Sequence, residues 1–212
     1  MKNRLTITTL VAVALATSFT ASADSQGAFV SAGAGHSNAT PGNSRAYDVM
    51  GGYRWEVDRP FYLGVEGGYV DLSRIKRTFD SSDAFTDITG PHTLTSHSRT
   101  RATNKGLLLG VNGKWELPGN YFIVAHAGVA RYRDELRYRD TGTLDGVPTE
   151  GFGGKYRFYS TNYYAGAGFG YNFSPQVGLS FMYDRYAPRY EGFQQKTTVN
   201  FDTWSAAVEF RF

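Results

Sequence analysis

Cysteine is absent from the 212-residue chain, which removes disulfides, thiolate catalysis and cysteine-ligated zinc together. No uninterrupted apolar run approaches the about 18 residues a membrane-spanning helix requires, and mean hydropathy is −0.38. Strong charge of one sign is missing as well, with 22 basic residues against 19 acidic ones. Only four histidines are present. What the chain has in quantity is glycine (25) and aromatic residues, 15 tyrosines and 15 phenylalanines among them. A disordered chain does not carry so many large apolar rings, and this length suits one domain with a sizeable core.

The amino terminus reads as an address rather than as structure. Lys2 and Arg4 precede an uncharged stretch from Leu5 to Phe19, and Ala21-Ser22-Ala23 puts small residues where a signal peptidase cuts. Residues 1–23 are expected to be a cleaved secretory signal, leaving a mature domain over 24–212. Losing Lys2 and Arg4 leaves a near-neutral protein, so the pI near 9.0 is no argument for nucleic acid as a partner.

Beyond Asp24 the sequence alternates with period two. Trp204, Ala206, Val208, Phe210 and Phe212 share one face, while Ser205, Ala207, Glu209 and Arg211 share the other. Leu107, Leu109, Val111 and Trp115 similarly oppose Leu108, Gly110, Asn112 and Lys114. Eight strands are predicted, at roughly 27–36, 45–55, 61–73, 103–115, 121–133, 156–173, 177–186 and 199–212. Short connections at 56–60, 116–120 and 174–176 alternate with long ones at about 37–44, 74–102, 134–155 and 187–198. That alternation predicts an all-β, eight-stranded antiparallel up-and-down transmembrane β-barrel whose long loops are extracellular. A weak internal repeat matches Arg54-Trp55-Glu56-Val57 and Phe61-Tyr62-Leu63 with Lys114-Trp115-Glu116-Leu117 and Tyr121-Phe122-Ile123, each read as a periplasmic hairpin.

Which face is wet decides between a soluble and a membrane barrel. The face opposite the apolar one is glycine, serine, asparagine and a few charges: Arg54, Glu66, Lys114, Asp184, Glu209 and Arg211. Placed at one level in a small interior, three acids and three bases are expected to pair with each other, because an unpaired charge there is costly. Trp55, Trp115, Tyr121, Tyr171, Phe173 and Phe212 fall near the short turns, with Tyr163, Tyr183, Tyr186 and Trp204 near the long loops. Two such bands read as interfacial girdles.

On the alternating terminus Val208-Glu209-Phe210-Arg211-Phe212 and the strand pattern before it, the chain resembles the OmpA-like and OmpX/Ail-like small outer-membrane barrels. The resemblance implies a Gram-negative outer membrane, both termini in the periplasm and four loops outside. It also implies that Phe210 and Phe212 form the signal read by the outer-membrane assembly machinery. The chain stops at Phe212, before any peptidoglycan-binding domain, so no tether to the cell wall is expected. Outer-membrane lipid and lipopolysaccharide are expected partners. The OmpX/Ail-like resemblance adds host surface molecules, and the chain is expected to be monomeric.

Chemistry is sparse. Eight strands leave an interior only wide enough for side chains, which excludes a broad pore and leaves a narrow gated channel as one alternative. No cofactor or metal is called for, and His126, in mid-strand, reads as an interior packing residue. The other alternative is a lipid A-modifying enzyme. His36-Ser37 does not fit the spacing of that chemistry, since adjacent strand residues face opposite sides. The long loops are the expected working parts. Arg74, Lys76, Arg77, Arg99 and Arg101 in the second could meet lipopolysaccharide phosphates or an acidic host partner. The expected role is structural and interactive: envelope integrity and surface contact.

Overall fold

The computed structural model describes residues 25–39, 42–191 and 196–212. The expected signal peptide, residues 40–41 of the first predicted loop and residues 192–195 of the fourth lie outside the described residues. The strands are β1 (Gly27–Ala39), β2 (Gly42–Asp58), β3 (Phe61–Asp87), β4 (Gly90–Glu116), β5 (Tyr121–Leu144), β6 (Val147–Asn172), β7 (Val177–Tyr186), β8 (Arg189–Glu191), β9 (Lys196–Thr198) and β10 (Phe201–Arg211). Eight of them close in the order β1-β10-β7-β6-β5-β4-β3-β2, every neighbour antiparallel, while β8 and β9 form a separate small hairpin.

The barrel is inverted relative to a soluble one. Leu63, Val65, Leu107, Leu109, Val111, Ile123, Val129, Phe169 and Val208 are exposed on the outer wall. Arg54, Glu66, Asn112, Lys114, Asp184, Glu209 and Arg211 are buried inside. Apolar out and polar in is stable only where lipid surrounds the wall. Trp55, Trp115, Tyr121, Phe173 and Phe212 edge this belt at one end, with Tyr69, Tyr163 and Trp204 at the other. Tyr186 departs from the girdle expected of it. It is buried and stacks on Tyr164, because it shares strand parity with Met182 and Asp184 rather than with Tyr183.

The two repeated segments form equivalent hairpins. Trp55 faces Leu63 across one turn as Trp115 faces Ile123 across the other. The Glu116 amide donates to the Pro60 carbonyl at 2.9 Å, joining the two turns.

At the opposite end the structure corrects the expected loops. Residues 74–102 continue β3 and β4 to a two-residue turn at Ile88 and Thr89, and 134–155 continue β5 and β6 to Asp145 and Gly146. The first predicted loop is largely strand too, with β1 and β2 pairing as far as Ala39 and Gly42. Residues 93–103 of β4 have no consistently apolar face, so periodicity misses them, yet their backbone pairs residue for residue with β3 and β5. The sequence does hold one sign of it. Asp145-Gly146 is a strong hairpin signal, and both residues adopt positive φ, 52° and 81°. Thus β3 to β6 stand beyond the apolar belt as a four-stranded sheet.

Candidate functional site

Inside the barrel the six predicted charges occupy two levels, not one. Near the end that carries the short turns, Glu209 gathers the bases. Arg54 Nη2 lies 2.8 Å from one carboxylate oxygen, Lys114 Nζ 3.1 Å from the other, and Arg211 Nε 3.8 Å away. The Arg54 guanidinium also covers the Phe29 ring at 3.9 Å and donates through Nε to Asn112 at 2.6 Å. Further up, Glu66 and Asp184 meet neither arginine nor lysine among the described residues. Each faces one ring nitrogen of His126, Glu66 at 3.0 Å and Asp184 at 2.7 Å. Tyr164 donates to Glu66 at 2.8 Å. The imidazolium, with two N–H donors, is the form that satisfies both carboxylates.

Strand stagger separates the levels. The register runs Arg54–Gly64–Asn112–His126–Gly166–Asp184 around the wall. In a sheared barrel such a row climbs the axis. His126 therefore sits at the centre of a charge cluster, a role its sequence position alone does not disclose. Gly166 makes room for it: a Cβ there would lie 1.9 Å from Asp184 Oδ1 and 2.6 Å from His126 Nε2.

Beyond these charges, toward the long hairpins, Met50, Val70, Leu72, Leu108, Tyr132, Tyr164 and Tyr186 pack as a largely apolar cluster in the interior. His36 and Ser37 do not assemble as a catalytic pair. His36 points outward, while Ser37 is buried and accepts a hydrogen bond from Thr203 at 3.1 Å. The terminal pair is also separated from the interior, since Phe210 and Phe212 are exposed on the lipid side, flanking buried Arg211.

The five predicted basic residues of the second loop lie on paired strands, and the period of two divides them. Lys76 pairs with Arg101, whereas Arg77 pairs with Thr100 and so faces the other way. Arg99 shares the outward face with Arg101, and Arg74 lies in β3 opposite Thr103. What the sequence did not place beside them is β5 and β6. Successive outward rows read Asp71–Lys105–Arg133–Tyr159, then Thr103–Glu135–Arg157, then Lys76–Arg101–Arg137–Lys155, then Thr78–Arg99–Arg139–Gly153.

Glu135 is the carboxylate at the centre of these rows. Its oxygens take Arg137 at 2.6 Å, Lys155 at 3.0 Å and Arg157 at 3.3 Å, with Arg133 at 3.7 Å. Hydrogen bonds from Lys155 first, then from Arg137 and Arg157, hold its carboxyl down to about 2. Lys105 pairs lower down with Asp71 at 3.2 Å. Arg101, Thr103, Lys105, Arg133, Glu135 and Arg137 line a groove of about 260 Å³.

The fold and the lipid-facing belt define an outer-membrane β-barrel. Residues 7–212 match the outer membrane protein beta-barrel domain family, and the chain belongs to it, in the outer membrane of a Gram-negative bacterium. No curated protein matches the sequence. Among solved structures, Ail, the attachment invasion locus protein of Yersinia pestis, is 13% identical, with 87% of this chain and 96% of that one covered and a TM-score of 0.44. Ail in complex with the heparin analogue sucrose octasulfate gives 14%, 88%, 99% and 0.45. Neisserial surface protein A gives 14%, 87%, 96% and 0.42.

Proposed function

We propose that this protein is a sealed, non-enzymatic barrel that stabilises the outer membrane and meets anionic partners at the cell surface. The observation that carries this reading is the Lys76–Arg101–Arg137–Lys155 row, four cations side by side on four strands. Like charges directly opposite one another destabilise a sheet, so such a row makes sense where an anion completes it. The interior supports a structural rather than a conducting role. Two ionic layers and the largely apolar cluster occupy the cross-section through which ions would pass. The lipid A-enzyme alternative draws no support from the His36 and Ser37 geometry.

The test is binding of labelled polyphosphate to the full chain in micelles, compared with a variant carrying Lys76→Gln, Arg101→Gln, Arg137→Gln and Lys155→Gln. Binding that weakens steeply with salt and is lost in the variant supports the reading. Equal binding by both proteins sinks it.

A further inference from the structure

We propose that the inward face of the sheet standing beyond the belt is a binding site for a soluble organic cation of the quaternary ammonium class, held by Asp140 beside a corner of aromatic rings. The site lies on the opposite side of the sheet from the outward cation rows and does not depend on the anion-binding reading.

The period of two that sends Arg99, Arg101, Arg137 and Arg139 outward sends Ser98, Thr100, Tyr138 and Asp140 inward. Rows on that side read Arg77–Thr100–Tyr138–Gly154, then Phe79–Ser98–Asp140–Phe152. Tyr156 shares this face on β6. These strands stand beyond the lipid-facing belt, yet Phe79 is 68% exposed, Phe152 67% and Tyr156 52%. Large rings grouped in water on one face mark a surface that meets a partner.

Tyr138 is the centre of the group. Its ring stacks on Tyr156 at 5.9 Å and 10°, and a side-chain hydrogen bond joins the two residues. Phe152 meets the same ring at 6.3 Å and 70°. Two ring planes so nearly perpendicular form a corner. Gly154 permits it, because a Cβ there would lie 2.6 Å from Tyr138 Cε1. The ring therefore crosses the β6 backbone at a position no larger residue leaves open.

Charge decides what the corner holds. Asp140 follows Tyr138 by two residues on β5 and stands directly opposite Phe152 on β6. The register shifts immediately after it, between Asp140 and Gly142, and such bulges re-aim side chains. Asp140 makes no ion pair among the described residues, and its Oδ1 is buried without a hydrogen-bond partner. Arg77, two strands away on this face, has a partner of its own. A buried carboxylate oxygen is costly unless a cation or donor meets it. A metal ion is poorly served, since among the described residues no group of three histidines or acids could hold one. A quaternary ammonium is served well. Its charge meets the carboxylate, and its methyl groups lie against ring faces, whose quadrupole attracts them. Ser98 and Thr100, the neighbours on β4, are small and leave it room. The lipid leaflet lies on the other side of the wall, so the ligand comes from solution.

The test uses the full chain in maltoside micelles, which contain no ammonium group, with choline binding followed by titration calorimetry at constant ionic strength. The comparison probe is dimethylbutanol, the uncharged isostere of choline. The variants are Asp140→Asn and Phe152→Leu, with Asp83→Asn, a carboxylate further along the same face, as control. Choline is expected to bind the unaltered protein and the control alike, and dimethylbutanol to bind at least about tenfold more weakly. Asp140→Asn should weaken choline binding at least about tenfold, the loss of one charge contact, and Phe152→Leu about threefold. Matching melting profiles show that weaker binding is not misfolding. Should Asp140→Asn melt lower, the isostere and the exposed Phe152→Leu decide alone. Equal binding of choline and dimethylbutanol, equal choline binding by the unaltered protein and a normally melting Asp140→Asn, or no saturable choline binding at all overturns the site. Polyphosphate binding reports on the outward rows separately, so either reading can fail without the other.

Discussion

Arg54 donates to Glu209 at 2.8 Å across 155 residues of sequence, from β2 to β10 inside the barrel. The other Glu209 oxygen receives Lys114 at 3.1 Å, so one carboxylate is shared between two buried cations. Truncating it leaves both without compensation. Glu209→Ala is expected to cost about 3–5 kcal/mol, the usual consequence of breaking a buried pair. The joint replacement Arg54→Met, Lys114→Met, Glu209→Leu should cost much less. Urea unfolding of the barrel in lipid, followed by tryptophan fluorescence, measures both. Equal losses in the two variants would show that the charges are not the source of the stability.

Gly166 and Gly67 provide a matched pair. A Cβ on Gly166 would displace the Asp184 and His126 groups from each other, whereas one on Gly67 would meet only the Leu108 carbonyl oxygen at 3.5 Å. Gly166→Ala is expected to cost several kcal/mol through the broken ionic contact, about 3 or more. Gly67→Ala should stay within about 0.5 kcal/mol. The same unfolding assay decides; a neutral Gly166→Ala would mean that the His126 cluster tolerates rearrangement.

Glu135 should titrate well below an ordinary carboxylate. Its folded value near 2 lies below the reference 4.5, so its contribution is present above pH 4.5 and is lost as pH falls toward 2. Carbon-13 NMR of the side-chain carboxyl follows this directly. Lys155→Gln, removing the largest contribution, should move the midpoint upward. A midpoint near 4.5 in the unaltered protein would mean that the four-cation contact does not persist in solution.

The tips of the two long hairpins are clasped. Asp145, between β5 and β6, takes His92 at 2.6 Å and the Thr93 amide at 2.7 Å, both from β4. These hydrogen bonds, His92's first, hold the Asp145 carboxyl below its usual 3.8. The clasp is therefore complete above pH 3.8 and opens as the pH falls through the lowered value. Asp145→Ala should speed hydrogen exchange at the Thr93 amide by about tenfold, the loss of one hydrogen bond. Unchanged exchange would place the protection elsewhere in the sheet.

Much of this protein is legible in its sequence because a strand between lipid and a packed interior must alternate. Trp204 to Phe212 alternate every residue, and so do the exposed Leu107, Leu109 and Val111 against the buried Leu108, Asn112 and Lys114. That pattern alone determines the barrel, the lipid-facing side and the interior charges. The hairpins beyond the belt escape it, because neither face of Thr93 to Thr103 is consistently apolar and their pairing is a backbone property. Which charges meet was decided only by tertiary structure. Strand stagger lifts Glu66 and Asp184 to His126 and leaves Glu209 to Arg54 and Lys114. The same is true outside, where cations spread from Lys76 to Lys155 become one row only when four strands align in register. Local chemistry sets the face a residue takes, whereas long-range register sets its neighbours.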